Sequence, residues 1–245
     1  MGFKTILIKI LPDIVIKYLV LFKKNYLDGW ALKSYSQEGE DMVLRRMFEK
    51  QKFGFYIDVG AHHPKRFSNT YFFYKQGWCG INIDAMPDSM KAFDKVRPRD
   101  TNIEKPIFDK DQTLTYYAFN EPALNGFSKR LSKERSGKNG YFIKFTQNIE
   151  TTTLENVLDK SLPKDQEIDF LSIDVEGLDF AVLKSNNFNK YRPKVILIEM
   201  LDSENLIDLE SNKIAQYLKN INYSVYVKLI NTVIFISNEF MKKLR

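Results

Sequence analysis

The chain of 245 residues is long enough for one large domain with a small annex, and its 44% hydrophobic and 28% charged residues exclude a largely disordered protein. The formal net charge of +6 is dispersed, with no run of five Lys or Arg, which argues against general nucleic-acid binding. The single cysteine, Cys79, excludes an internal disulfide and a cysteine-rich metal site and fits a reducing, cytoplasmic setting.

Residues 3–22 are rich in Ile, Leu and Val but are interrupted by Lys4, Lys9, Asp13 and Lys17, so they read as a helix rather than a membrane span. Pro12 bends or splits that helix. It packs on the domain or on a second subunit, or it lies on a membrane surface, for which Lys23 and Lys24 speak. A segment 1–33 is thus set apart from a domain over 34–245.

Glu40 to Lys50 is a predicted helix, capped from Ser36, Gly39 and Glu40. The stretch Phe55-Tyr-Ile-Asp-Val-Gly-Ala-His-His-Pro follows, an apolar run that ends in an acid and a glycine turn. It reads as a buried strand whose carboxyl end, with Asp58 and Gly60, opens on a ligand crevice. Ser68 caps a helix closed by Gly77, and Cys79 to Ile83 forms a second strand ending in Asp84, placed to accept from ribose hydroxyls. Pro87 opens a helix to Val96, and Thr101 to Phe108 is a third strand.

Residues 109–150 break the rhythm. Leu114 to Phe119 is extended, and Asn120 to Gly140 is a long, polar, basic loop of the kind that carries function. A helix over Thr153 to Lys160 leads to Ile168-Asp-Phe-Leu-Ser-Ile-Asp-Val-Glu-Gly, again a buried strand ending in acids. A helix over 178–185, a strand from Lys194 ending in Glu199, a helix over Ser203 to Lys219 and a hairpin of Tyr223 to Lys228 with Thr232 to Ile236 complete the chain. The alternation implies an α/β fold with a mostly parallel sheet, helices on both faces and an antiparallel strand at or near one edge.

Three stretches together resemble the FkbM-type methyltransferases, a branch of the class I fold that uses S-adenosylmethionine: Tyr35-Ser-Gln-Glu-Gly-Glu-Asp, Ile57-Asp-Val-Gly-Ala-His-His-Pro and Phe170-Leu-Ser-Ile-Asp-Val-Glu-Gly-Leu-Asp. The likeness runs over about residues 34–237, and Arg66-Phe-Ser-Asn-Thr-Tyr with Gly80-Ile-Asn-Ile-Asp-Ala-Met-Pro resembles a bacterial subgroup found with surface-polysaccharide genes. It implies a Rossmann-like sheet of seven strands and O-methylation of a sugar. By position, Asp58, Gly60 and Ala61 line the methionine part of the cofactor, Asp84 holds the ribose, and Ala85 and Met86 flank the adenine. Gln37, Ser68 and Asn69 reach the amino-acid end, and Asp174 lies beside the transferring methyl group. Many members carry Asn and Gly where this chain has His62 and Pro64.

A sugar hydroxyl is a poor nucleophile until its proton is removed. His62, His63, Asp174, Glu176 and Glu199 are the candidates, with a histidine as base oriented by Asp174 or Glu176. Asp174, Glu176 and His62 alternatively hold Mg²⁺ or Mn²⁺. In the basic loop, Lys129, Arg130 and Arg135 suit a diphosphate, while Asn125, Ser128 and, beyond the loop, Glu199 suit the sugar. The expected acceptor is a nucleotide-linked sugar, with homo-oligomerisation open. An NAD-type oxidoreductase is disfavoured by the missing glycines and the absent Tyr-x-x-x-Lys; a non-catalytic assembly module is the remaining alternative.

Overall fold

Hydrophobic side chains from both faces of the central sheet feed two cores. A computed structural model describes residues 12–27, 29–201 and 206–244. The chain divides into two units, Met1–Ser34 and Tyr35–Arg245. In the first, α1 (Asp13–Tyr26) begins directly after Pro12 and buries none of its residues. The part of the predicted N-terminal helix before Pro12 lies outside the described residues.

The second unit runs α2 (Glu40–Met47), β1 (Phe55–Val59), α3 (Tyr71–Lys75), β2 (Cys79–Asp84), α4 (Met90–Val96), β3 (Thr101–Glu104), β4 (Thr113–Phe119), α5 (Lys129–Arg135), β5 (Ile143–Glu150), α6 (Leu154–Ser161), β6 (Phe170–Ile173), α7 (Asp179–Lys184), β7 (Val195–Glu199), α8 (Leu206–Ser211), α9 (Lys213–Asn220), β8 (Tyr223–Lys228), β9 (Thr232–Ser237) and α10 (Asn238–Leu244). Seven strands form one sheet in the order β3-β2-β1-β6-β7-β9-β8. The pairs β3–β2–β1–β6–β7 are parallel, and β9 runs antiparallel to both its neighbours. One face of β1 sends Phe55, Ile57 and Val59 into a core completed by α6, α7 and α9. The other sends Tyr56 into an aromatic core with Phe48, Phe73, Trp78 and Phe170.

The order reverses at β1, which pairs with β2 on one side and β6 on the other. At such a switch point the outgoing loops diverge and leave a crevice at the strands' carboxyl ends. One buried cation organises the wall of that crevice. Arg97 is fully buried, donating Nε to the Pro64 carbonyl (2.9 Å), Nη1 to Thr70 Oγ1 (2.8 Å) and Asn82 Oδ1 (3.0 Å), and Nη2 to Ser68 Oγ (2.7 Å). Thr70 passes its own proton to Asp58 Oδ2 at 2.8 Å. Asp100, 3.9 Å from Arg97, accepts from Tyr56, Asn82 and the Gly80 amide.

Several expected boundaries shift. The third strand stops at Glu104, where Lys105 turns its amide to the Asp84 carbonyl. The helix expected over Ser203 to Lys219 is broken at Asn212, whose side chain caps α9 by accepting from the Ile214 amide. The long polar loop contains α5, and β5 pairs antiparallel with β4 in a second, two-stranded sheet. Most of β5 is exposed, so its sequence carries no apolar stripe to announce it. Among the described residues, no helix is long and apolar enough to cross a membrane.

Arg97→Met should cost about 3–5 kcal/mol, read as a lower urea midpoint, because it leaves the Asp58 and Asp100 carboxylates and several hydroxyls without their buried partner. A variant with unchanged stability would show that the network is not structural.

Candidate active site

The turn after β1 is shaped by backbone alone. Gly60 has φ 83°, and a Cβ there would come within 1.7 Å of the Asp174 carbonyl, so only glycine lets β1 and β6 end side by side. His62 also lies in the left-handed region, at φ 53°. Its amide donates to Asp84 Oδ2 (2.8 Å), and the Met86 amide donates to Asp84 Oδ1 (2.7 Å). These two bonds oppose the burial that raises the Asp84 pKa, and each oxygen keeps a further lone pair for a ligand hydroxyl.

A cavity of about 410 Å³ opens here. Its floor is Gly60, Asp84, Ala85 and Met86; Gln37, Asp174, Glu176 and Glu199 close one side, and the insertion between β3 and α6 supplies Tyr116, Asn125, Arg135 and Tyr141. Other expected residues stand behind this wall. Asp58 is buried against Thr70, Ser68 is held by Arg97, and Ala61 packs with Met90 and Phe93. Asn69 Nδ2 donates to Ser172 Oγ (3.0 Å).

The two histidines separate. His63 Nδ1 accepts from the amides of Lys65 and Arg66, each at 3.0 Å, and so serves the turn. His62 lines the cavity, stacks on Phe67 with ring centroids 6.4 Å apart, and has a buried Nε2 without a partner. Burial, then the charges of Arg66 and His63, hold its pKa below the ordinary value, with Glu121 opposing. Glu121, whose charge opposes that shift, pairs with Arg66 at 3.2 Å, and His62 Nε2 makes no hydrogen bond to Asp174 or Glu176, the orienting partners the sequence suggested. The left-handed turn at His62 carries the ring toward Arg66 and Phe67.

Asp174, Glu176 and Glu199 each offer an oxygen within 4.8 Å of the others, a grouping that replaces the expected Asp174–Glu176–His62 ligand set. Three such oxygens suit a hard divalent cation. Without a cation they repel one another. Burial, and after it the charges of Asp174, Glu176 and Asp179, pushes Glu199 up to about 10, and its Oε2 has no partner. Enclosure and then Glu176 raise Asp174 in the same direction, although its surface still meets cavity solvent. Arg135 Nη1 pairs with Glu176 Oε2 at 2.6 Å and offsets part of this.

The loop carrying these acids is pinned by a residue that sequence reasoning missed. Asp179, buried at the start of α7, accepts from the Val175 and Gly177 amides at 3.0 Å each. That clamp holds Glu176 at φ 55°, a left-handed conformation uncommon outside glycine. The only sequence signal was an acid five residues past the strand's Asp174. Of the basic loop residues, Arg135 reaches the cavity. Arg130 pairs with Glu134 on the exposed face of α5, Lys129 is exposed, and Ser128 caps α5 by accepting from the Leu131 amide. Asn125 lines the cavity and accepts from the Phe119 amide at 2.7 Å.

A parallel sheet with one antiparallel strand near its edge, a glycine turn at the switch point and an acid closing the second strand define a class I methyltransferase architecture. The Methyltransferase FkbM domain matches residues 58–225, and the chain belongs to that family. A methyltransferase domain of this kind implies an S-adenosylmethionine-type cofactor. No curated protein matches the chain. Three chains of solved structures match. One is YjhP from E. coli, 11% identical over 89% of this chain and 71% of that one, with a TM-score of 0.32, too distant to carry an argument.

The carboxylates give the protein a pH signature. A carboxyl raised in the folded state stabilises the fold below its unfolded pKa, near 4.3 for Glu, and that contribution is lost as pH rises toward the folded value, about 10 for Glu199. Stability should therefore fall between pH 7 and pH 8.5 by roughly 1 kcal/mol per unit. Thermal melts of Glu199→Gln should show a flatter profile over that range; an unchanged slope would assign the effect elsewhere.

Proposed function

We propose that the protein transfers the methyl group of S-adenosylmethionine to a hydroxyl of a nucleotide-linked sugar destined for a surface polysaccharide. The observation that carries the reading is the two-sided cavity at the switch point. Gly60, Asp84, Ala85 and Met86 form a side suited to a nucleoside. His62, Glu199, Arg135 and Tyr141 also line the cavity and offer groups suited to a polar acceptor. The volume lies within the usual range for small-molecule sites.

When bound, the cofactor supplies a methyl group on a sulfonium sulfur as the electrophile. Asp84, fixed by the amides of His62 and Met86, accepts from the ribose hydroxyls. His62, whose buried Nε2 has no partner and whose pKa is held below the ordinary value, would take the acceptor's proton at Nε2. Arg135 and Asn125 orient the acceptor. Of the three cations expected at a diphosphate, Arg135 is the one that lines the cavity, paired there with Glu176. Asp174, Glu176 and Glu199 would hold a divalent ion that lowers the acceptor's pKa; Glu199 Oε2, buried and unpartnered, favours this arrangement.

Calorimetry with S-adenosylhomocysteine should show saturable binding, weakened at least about tenfold by Asp84→Ala, which removes a charge-assisted contact. Binding unaffected by Asp84→Ala, or no binding, would reject the cofactor assignment. His62→Asn, a residue that tolerates positive φ, should retain cofactor affinity and lose roughly 10²- to 10⁴-fold in kcat on a sugar-nucleotide acceptor. Full turnover in that variant would move the base to the carboxylates.

Mg²⁺ binding should release protons from the raised carboxylates. Its calorimetric enthalpy would then change with the buffer's ionisation enthalpy, and Glu199→Gln would reduce that dependence. Absence of Mg²⁺ binding would leave the three acids as proton-sharing groups alone.

A further inference from the structure

α1 presents an apolar surface with no counterpart in the catalytic reading. None of its residues is buried, and Tyr18 and Phe22 are 66% and 54% exposed. At 3.6 residues per turn, Ile14, Tyr18, Leu21 and Phe22 share one side of the helix with Val15 and Leu19 next to them. Asp13, Lys17 and Lys24 fall on a narrow opposite stripe, and Lys23 joins Lys24 in the last turn. Such a helix has a wide apolar face and a slim basic one.

The turn that ends the helix adds a second feature. The amides of Leu27 and Gly29 both donate to the Lys23 carbonyl, folding the chain back. Trp30, 67% exposed, is thereby brought under Lys24, whose Nζ sits 4.2 Å from the ring centroid. On another side of the helix, the rings of Phe22 and Tyr26 lie 5.2 Å apart, centroid to centroid. Exposed Trp and Tyr rings grouped with lysines match the depth at which lipid chains meet headgroups. At about 1.5 Å per residue, the 14 described residues of α1 span roughly 21 Å, short of the ~30 Å hydrocarbon core.

We propose that α1 docks the protein on a phospholipid surface carrying anionic headgroups. The apolar face enters the interfacial zone, Trp30 and Tyr26 sit at headgroup depth, and Lys17, Lys23 and Lys24 meet the phosphates. Charge complementarity selects this occupant over a second copy of the chain, which would set Lys17, Lys23 and Lys24 against the same three cations and a single anion, Asp13.

The full chain is tested by flotation with vesicles of phosphatidylcholine alone and of phosphatidylcholine with phosphatidylglycerol. Binding should be at least roughly tenfold stronger on the anionic vesicles and should weaken at high salt. Leu19→Glu with Phe22→Glu should abolish it, while Lys17→Gln with Lys24→Gln should remove the anionic preference. S-adenosylhomocysteine affinity, which depends on the other unit, should be unchanged in both.

A readout independent of any variant comes from the two tryptophans, because Trp78 is buried and Trp30 is exposed. Anionic vesicles should blue-shift the emission of the native protein and shield it from acrylamide. Emission unaltered by either vesicle, or a dimer in solution that dissociates with Phe22→Glu, would overturn the proposal. Failure of cofactor binding alone would strike the methyltransferase reading and leave this one standing.

Discussion

A single buried guanidinium sets the geometry on which the cofactor side of this protein depends. Desolvating a charge is costly, and Arg97 recovers the cost only because every face of its fork has an acceptor. Those acceptors come from the loop after β1, from β2 and from the start of α3, so satisfying one side chain fixes three segments at once. The rings of Tyr71, Tyr74 and Phe93 lie within 5.8 Å of the guanidinium and shield it. Through Thr70 the same cation reaches Asp58, so an acid at the strand end is kept as a wall element and not as a free ligand.

The other side of the cavity is built on the opposite strategy. Asp174, Glu176 and Glu199 are gathered with one cation, Arg135, near them, and the loop that carries two of them is locked by Asp179. Burial pushes Asp179 itself up to about 6, even with the loop amides bonded to it. The arrangement stores charge repulsion beside the cavity, as functional sites do when they trade stability for reactivity. His62 stands apart from it, in a neutral pocket of Phe67, Arg66 and Glu121.

Much of the fold was legible because the central strands announce themselves twice, once by an apolar run and once by the acid that ends it. Asp58, Asp84, Asp174 and Glu199 all close strands, or follow one directly, where the sequence placed them. What escaped was whatever depends on pairing across the chain. Arg97 reads as an ordinary residue before Pro98, and its partners lie 15 to 33 positions away. β5 is mostly exposed and offers no periodicity. His62 and His63 are neighbours in sequence, yet only His62 lines the cavity, because of a left-handed turn that local sequence does not specify.

The insertion has a consequence for how such a protein can change. β4 and β5 pair with each other in a sheet of their own and share no ladder with the seven central strands. Asn125 and Arg135 nevertheless reach the cavity from this appendage, and Gly126 lies against Glu176, where a Cβ would sit 3.1 Å from the Glu176 Cβ. Part of the cavity wall is thus carried on a cassette outside the seven-stranded sheet, while Gly60, His62, Asp84 and Glu199 stand at that sheet's strand ends. On the proposed function, one part of the acceptor wall could be rewritten without disturbing the nucleoside floor.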